Sequence, residues 1–66
     1  MRRELIKILM ERDGLEEWNA EDVVDDLIGV LKEMVQDDCG ITEIEDYFMD
    51  VIGLEPDYLD IDELLD

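Results

Sequence analysis

The sequence predicts an all-α protein, a small three- or four-helix bundle that forms one domain over residues 1–66. Three observations predict this fold. Apolar residues recur at helical spacings of three and four along the chain, Gly or Pro separates the apolar runs, and no segment alternates apolar and polar residues as a half-buried strand would. With 47% apolar residues, the chain has enough apolar surface for a compact core despite its charge.

The first helix is predicted over about residues 2–12, in the segment RRELIKILMER. Its apolar face is centred on Leu5, Ile8 and Leu9 and widened by Met1, Ile6 and Met10. Gly14 follows as a left-handed stop.

The second helix is predicted over about residues 20–37. Asn19 is the expected N-cap, and Trp18 occupies a staple position opposite Val23, which predicts a core role for this tryptophan. Gly40 is expected to end the helix. The predicted inner face consists of Val23, Leu27, Val30, Leu31 and Met34, flanked by Val24, Ile28 and Val35.

The third helix has the clearest amphipathic pattern in the chain. Thr42 and Glu45 have the spacing of a capping box that starts it, and Gly53 is the expected stop. The apolar positions between them are Ile44, Tyr47, Phe48, Val51 and Ile52.

After Gly53, the segment LEPDYLDIDELLD again places apolar residues at helical spacing, at Tyr58, Ile61, Leu64 and Leu65. Pro56 suits a first helical position. We predict one short helix at residues 57–65, and two loosely joined turns are the alternative.

Charge is the most unusual property of the sequence. Asp and Glu number 22 against five Lys and Arg, which gives a formal net charge of −17. Residues 1–14 contain four basic and three acidic side chains, whereas residues 15–66 contain one basic side chain, Lys32, and 19 acidic ones. This charge opposes compaction but favours association with cations. It disfavours direct binding to nucleic acid or to an anionic membrane, so a basic protein is the expected partner.

The residue inventory excludes several kinds of catalysis. The chain has no Ser, no His, one Thr and one Cys, so neither a Ser-His-Asp nor a Cys-His arrangement can be assembled. The small, acidic, helical form resembles acyl carrier proteins, but those carry a phosphopantetheine arm on a Ser that this chain lacks. We therefore expect a protein that is not an enzyme and has no cofactor.

Metal binding is also not expected. One Cys without His cannot complete the usual zinc shell, and alignment of each Gly to the sixth EF-hand position places an apolar residue at the first. The acidic neighbours of Cys39 should disfavour its thiolate. The lone Cys, together with the lack of a secretory signal or a membrane-length apolar run, favours a reducing cytoplasm.

The acidic residues fall on the faces opposite the predicted apolar ones. On helix 2, Asp22, Asp26 and Glu33 share one row with Gly29, and Glu21 and Asp25 form a parallel row. Arg3 and Lys7 of helix 1 are expected to pair with this helix. The predicted partner-binding residues are Glu21, Asp22, Asp25, Asp26, Glu33, Glu43, Asp46, Asp50, Asp57, Asp60, Asp62 and Glu63, with Asp66 continuing the C-terminal row.

These faces predict a nucleic-acid mimic that occupies the basic groove of a DNA- or RNA-binding protein, such as a restriction or CRISPR effector. Small viral inhibitors of those enzymes act in this general way. One alternative is an adaptor or regulatory subunit that docks through its C-terminal segment YLDIDELL. Another is adaptation of the surface to high salt. Either a monomer or a homodimer fits the sequence.

Overall fold

The structure, a computed structural model, describes residues 1–65. It contains four α-helices, α1 (Arg2–Asp13), α2 (Glu17–Gln36), α3 (Ile41–Ile52) and α4 (Ile61–Leu65), and a 3₁₀ turn at Pro56–Tyr58. No strand occurs within residues 1–65, and the predicted all-α bundle is confirmed. The predicted apolar position at the Leu65 side chain and the predicted acidic position at Asp66 lie outside the described residues.

The central element is α2. It has 20 residues, which corresponds to a length of about 30 Å, and the longest dimension of the molecule is 34 Å. The other three helices, α1, α3 and α4, each pack against it, and the 3₁₀ turn packs against α3. The position of every other helix is therefore set by its contact with α2 or with a neighbour of α2.

One apolar core contains side chains from all four helices. Among the described residues, no polar or charged side chain is buried. The predicted core positions Leu5 and Leu9 of α1 are buried, and Ile6, predicted at the margin, is buried with them, whereas Ile8 is half-buried. The buried residues are Leu5, Ile6, Leu9, Ala20, Val24, Leu27, Leu31, Ile44, Phe48, Ile52 and Leu64.

Two predicted glycine stops are confirmed. Gly14 ends α1 with φ of 67° and Gly53 ends α3 with φ of 71°, and both values lie in the left-handed region that glycine adopts without a steric penalty.

The start of α2 differs from the prediction. The helix begins at Glu17, and its flanking residue Glu16 makes no side-chain capping bond. Asn19 lies inside the first turn, because the Ala20 amide already donates to the Glu16 carbonyl at 2.9 Å. Ala20 is fully buried, and the earlier start places it on the core side of the helix. Tertiary packing thus overrides the weaker capping preference of Asn19.

The inner face of α2 also differs. The buried residues are Ala20, Val24, Leu27 and Leu31, while Val23, predicted at the centre of the face, is 39% exposed. Trp18 is 63% exposed, so the predicted staple and the core role of this tryptophan are wrong. A helix that packs against α1, α3 and α4 must present a face that suits all three neighbours, which the pattern of one helix does not specify.

The connection between α2 and α3 is made by residues other than those predicted. The left-handed position belongs to Asp38, with φ of 61°, and not to Gly40. The Cys39 amide donates to the Met34 carbonyl at 3.0 Å and the Asp38 amide to the Val35 carbonyl at 3.2 Å. These two bonds form a Schellman motif, which satisfies the last carbonyls of α2.

The predicted capping box of α3 is wrong. Gly40 flanks the helix with extended backbone, no side chain caps it, and α3 begins at Ile41. Thr42 therefore lies within the first turn. Of the predicted apolar positions, Ile44, Phe48 and Ile52 are buried, Tyr47 is half-buried, and Val51 is 48% exposed because it lies at the edge of the stripe.

The predicted single helix at residues 57–65 is also wrong. Leu59 has extended backbone between the 3₁₀ turn and α4. An Asp60 carboxylate oxygen then accepts hydrogen bonds from the Asp62 amide at 3.1 Å and from the Glu63 amide at 3.4 Å. Asp60 and Glu63 have the spacing of a capping box, so the sequence contained a start signal at this point that the prediction missed.

Replacement of Phe48 by Ala is expected to remove about 3–5 kcal/mol of stability, because the side chain is fully buried and leaves a cavity. A chain of this length has roughly 3–10 kcal/mol in total, so the loss is a large fraction of the total. Urea titration followed by circular dichroism measures the loss. The matched control is Val51→Ala on the exposed edge of the same helix, which should change stability by less than about 0.5 kcal/mol; equal losses would contradict the assigned core.

Replacement of Asp38 by Gly is expected to raise the free energy of unfolding by roughly 0.5–1 kcal/mol, because glycine adopts the left-handed backbone without a Cβ clash. Asp38→Asn removes the same charge but keeps a side chain at this position, and it should change stability less. Thermal melts of the original protein and of the two variants separate the effect of backbone geometry from the effect of the lost charge. If Asn stabilises as much as Gly, charge and not backbone geometry is the cause.

Candidate functional site: the acidic surface

The twelve described carboxylates predicted to bind a partner lie on α2, on α3, and on the 3₁₀ turn with α4. We call them the acidic surface. All are exposed except Glu21, which is half-buried. The elements that carry the three parts of the acidic surface are connected through α2, because α3 and α4 both pack against it.

The outer row of α2 contains Asp22, Asp26 and Glu33, on the side of the helix opposite Leu27 and Leu31. The helix is continuous from Glu17 to Gln36, so the spacing of the row is fixed by helical geometry. Within the described chain, no basic nitrogen lies within 4.0 Å of these three carboxylates. Their charge is not offset by a direct contact.

The parallel row of Glu21 and Asp25 is different, because Arg2 of α1 contacts both. The Arg2 guanidinium donates to the Asp25 carboxylate at 2.7 and 3.3 Å and lies 3.8 Å from Glu21. The hydrogen bond from Arg2 lowers the pKa of the Asp25 carboxyl group. These two residues are therefore partly neutralised within the molecule.

Arg3 and Lys7 do not make the predicted ion pairs. Within residues 1–65, neither has a carboxylate oxygen within 4.0 Å. The orientation of α1 on α2 places Arg2 at the acidic row instead. Arg3 and Lys7 lie with Ile6 and Met10 along the groove between α1 and the first turns of α2.

The α3 part of the acidic surface consists of Glu43, Asp46 and Asp50. All three are exposed, and in the described structure none lies within 4.0 Å of a basic nitrogen. Met49 is 36% exposed and lies with Asp46 and Asp50 along a shallow hollow.

Two carboxylates in the C-terminal part of the acidic surface make contacts that stabilise the fold. Asp60 accepts the two amide bonds at the start of α4, and the Glu63 carboxylate lies 3.3 Å from the Met1 amino group. Asp57 and Asp62 make no ion pair with the described residues. Nine carboxylates of the acidic surface are thus without a cationic contact among the described residues, namely Asp22, Asp26, Glu33, Glu43, Asp46, Asp50, Asp57, Asp60 and Asp62.

The C-terminal segment also contributes to the core. Leu64 is 5% exposed, and Leu59 and Ile61 are partly buried against the core residues. The apolar residues of YLDIDELL that the structure describes thus mostly face the protein interior, with the exception of Tyr58, which is 37% exposed.

The surroundings of Cys39 agree with the sequence prediction. Burial raises the pKa of the Cys39 thiol, and the carboxylates of Glu43, Asp37 and Asp38 raise it further. The thiol is therefore stabilised over the thiolate, which is the reactive form.

Neither a metal site nor a membrane segment is found in the described chain. Within residues 1–65, no group of three or more Cys, Asp or Glu side chains is arranged to hold a metal ion. Among the described helices, none combines the length and the apolar character that a membrane crossing requires.

Sequence reasoning missed Trp18 as a surface residue. It lies four residues before Asp22, so the two share one side of α2. The predicted N-cap at Asn19 placed Trp18 outside the helix and concealed this relation. The indole N–H donates to the Glu16 carboxylate.

Comparison with known protein families, with curated proteins and with solved structures finds no match to this chain.

Added salt is expected to stabilise the folded protein. At about 0.01 M salt the Debye length is about 30 Å, close to the 34 Å length of the molecule, so carboxylates on all parts of the acidic surface repel one another. At about 1 M the Debye length is about 3 Å. Thermal melts should show a higher Tm as NaCl rises across this range, whereas a falling Tm would mean that ion pairs outweigh the repulsion.

The same experiment tests salt adaptation. A helical circular dichroism spectrum and a cooperative melt at about 0.1 M NaCl would contradict that alternative, because a salt-adapted chain should need molar salt to fold.

Proposed function

We propose that this protein binds the basic groove of a nucleic-acid-binding protein through its acidic surface and so competes with nucleic acid for that groove. The observation that carries the proposal is the set of nine exposed carboxylates without a cationic contact among the described residues, held on packed helices and the turn that joins them. An inhibitor of a restriction or CRISPR effector would have this form.

The distribution of charge supports a binding role over a generic polar surface. Like charges four residues apart destabilise a helix by a few tenths of a kcal/mol per pair. In residues 15–66, Lys32 is the single basic side chain among 19 acidic ones. A solvated helix with no binding role is more stable when acidic and basic side chains alternate along its surface. Over most of its length, this chain lacks the basic side chains that such pairs require.

The rigidity of the helices supports competition with nucleic acid. Residues four apart on a helix have Cβ atoms about 5–6 Å apart, a separation of the same order as that between successive phosphates on a strand. The carboxylates are ordered before binding, so less conformational entropy is lost on association than for a flexible acidic tail. Phosphate contacts supply most of the non-specific affinity of a basic groove, and carboxylates can take the same positions.

The alternative of docking through YLDIDELL has less support. Leu64 is already buried against the core of the same molecule. Binding through that side chain would require α4 to leave α2 and expose the core. The acidic surface is available without any rearrangement.

The proposal predicts that the triple variant Asp22→Asn, Asp26→Asn, Glu33→Gln competes more weakly with nucleic acid for the partner. Capture from lysate at low salt supplies the partner, and displacement of its labelled nucleic acid measures competition. Because three charged contacts are lost, the affinity of the variant for the partner should also depend less steeply on salt concentration than that of the original protein.

The matched control neutralises three exposed carboxylates outside the acidic surface that make no ion pair with the described residues, Glu4, Glu11 and Glu55, and so changes the net charge equally. Competition by the control should remain close to that of the original protein. Equal losses in both variants would show that only total charge matters. A partner that binds this protein and its nucleic acid at the same time would contradict mimicry.

A further inference from the structure

We propose that Trp18 and Asp22 form a binding site for an arginine side chain of the partner, at the N-terminal end of the outer row of α2. This inference rests on the proposed function, because it specifies how the partner's basic groove contacts that row. It adds one selective contact to a surface that otherwise recognises positive charge alone.

The exposure of Trp18 is the first observation. At 63% it is the most exposed large hydrophobic side chain of the described residues. Tryptophan is a large apolar residue that is usually mostly buried, and exposed tryptophans are enriched among the residues that dominate binding energy at interfaces. Nothing in the described core requires Trp18, so its position is not explained by the fold.

The orientation of the indole is the second observation. Its N–H group is occupied by the Glu16 carboxylate, which leaves no donor on the ring for a partner. The parts of the ring that remain for contact are its apolar faces. An indole face attracts a cation within about 6 Å of the ring centroid.

Charge complementarity identifies the occupant. Residues 16–22 include three carboxylates without a basic nitrogen within 4.0 Å among the described residues, Glu16, Glu17 and Asp22, and these outweigh the partial positive charge at the start of the helix. A purely apolar partner pocket over Trp18 would have to desolvate these carboxylates without compensation. A cation can contact the exposed ring and also offset the cost of desolvating a carboxylate, because it stacks on the indole and pairs with the carboxylate.

Arginine fits this site better than lysine. Trp18 and Asp22 lie one helical turn apart, with Cβ atoms about 5–6 Å apart. A planar guanidinium can stack on the indole and donate two hydrogen bonds to the Asp22 carboxylate. Asp22 has no basic nitrogen within 4.0 Å among the described residues, so it is available, unlike Asp25.

The test compares peptides of eight arginines and eight lysines, which carry equal charge. Trp18 is the one tryptophan of the chain, so its fluorescence reports on this site. The arginine peptide should change the emission more than the lysine peptide. Calorimetry should show tighter binding of the arginine peptide than of the lysine peptide, by at most about fivefold, which is the whole gain that an exposed cation–π contact provides.

Three variants assign the preference to the site. Trp18→Leu should reduce the preference for arginine, because the guanidinium loses the ring on which it stacks, and Trp18→Tyr should reduce it less. Asp22→Asn should reduce the preference, whereas Glu33→Gln, which removes the same charge about 16 Å farther along the helix, should not. Circular dichroism checks that each variant remains helical.

The failure of this inference is distinguishable from that of the proposed function. Equal affinity for both peptides, or an arginine preference that is undiminished in Trp18→Leu, overturns the Trp18 site but leaves the acidic surface in place. Absence of salt-dependent binding to either peptide overturns both.

Discussion

The burial of one stripe of α2 against three other helices is the interaction on which the rest of the molecule depends. Ala20, Val24, Leu27 and Leu31 form this stripe and are buried, and α1, α3 and α4 all pack against α2. Helical geometry fixes the angle between two faces of one helix. When the stripe is buried, Asp22 and the other residues of its row must therefore face outward. The core and the acidic surface are therefore two consequences of the same packing, and a change that rotates α2 would alter both.

The apolar core must also oppose the repulsion among carboxylates. Few ion pairs offset this repulsion. Those among the described residues are made by Arg2, by Arg12 with its neighbour Asp13, and by the Met1 amino group with Glu63. Exposed pairs of this kind contribute little. Among the described residues, eleven apolar side chains and no polar or charged one are buried, and this burial supplies most of the stability of a chain with a net charge of −17.

Apolar periodicity predicted the all-α class, the order of the main helices and the exposure of the acidic residues, because each depends on the period of a helix. It was less successful where weak local signals compete with packing. Asn19 and Thr42 are good capping residues, but a cap contributes only about 1 kcal/mol, and the two helices begin earlier, at Glu17 and Ile41. The ion pairs of Arg2 could not be predicted, because they depend on how α1 crosses α2. The break before α4 was predictable from Asp60 and Glu63.

The corrected start of α2 also changes the character of the acidic surface. A surface made of carboxylates alone would attract any cationic groove, since charge steers association without selecting among partners of the same sign. The start at Glu17 brings Trp18 into the same helix, one turn before Asp22, and adds an apolar face to the end of the row. Selectivity requires a contact that some partners make and others cannot. An aromatic side chain beside an unpaired carboxylate is such a contact, because it distinguishes a planar cation from a point charge. A local error in one cap prediction therefore concealed the residue that bears most directly on partner choice.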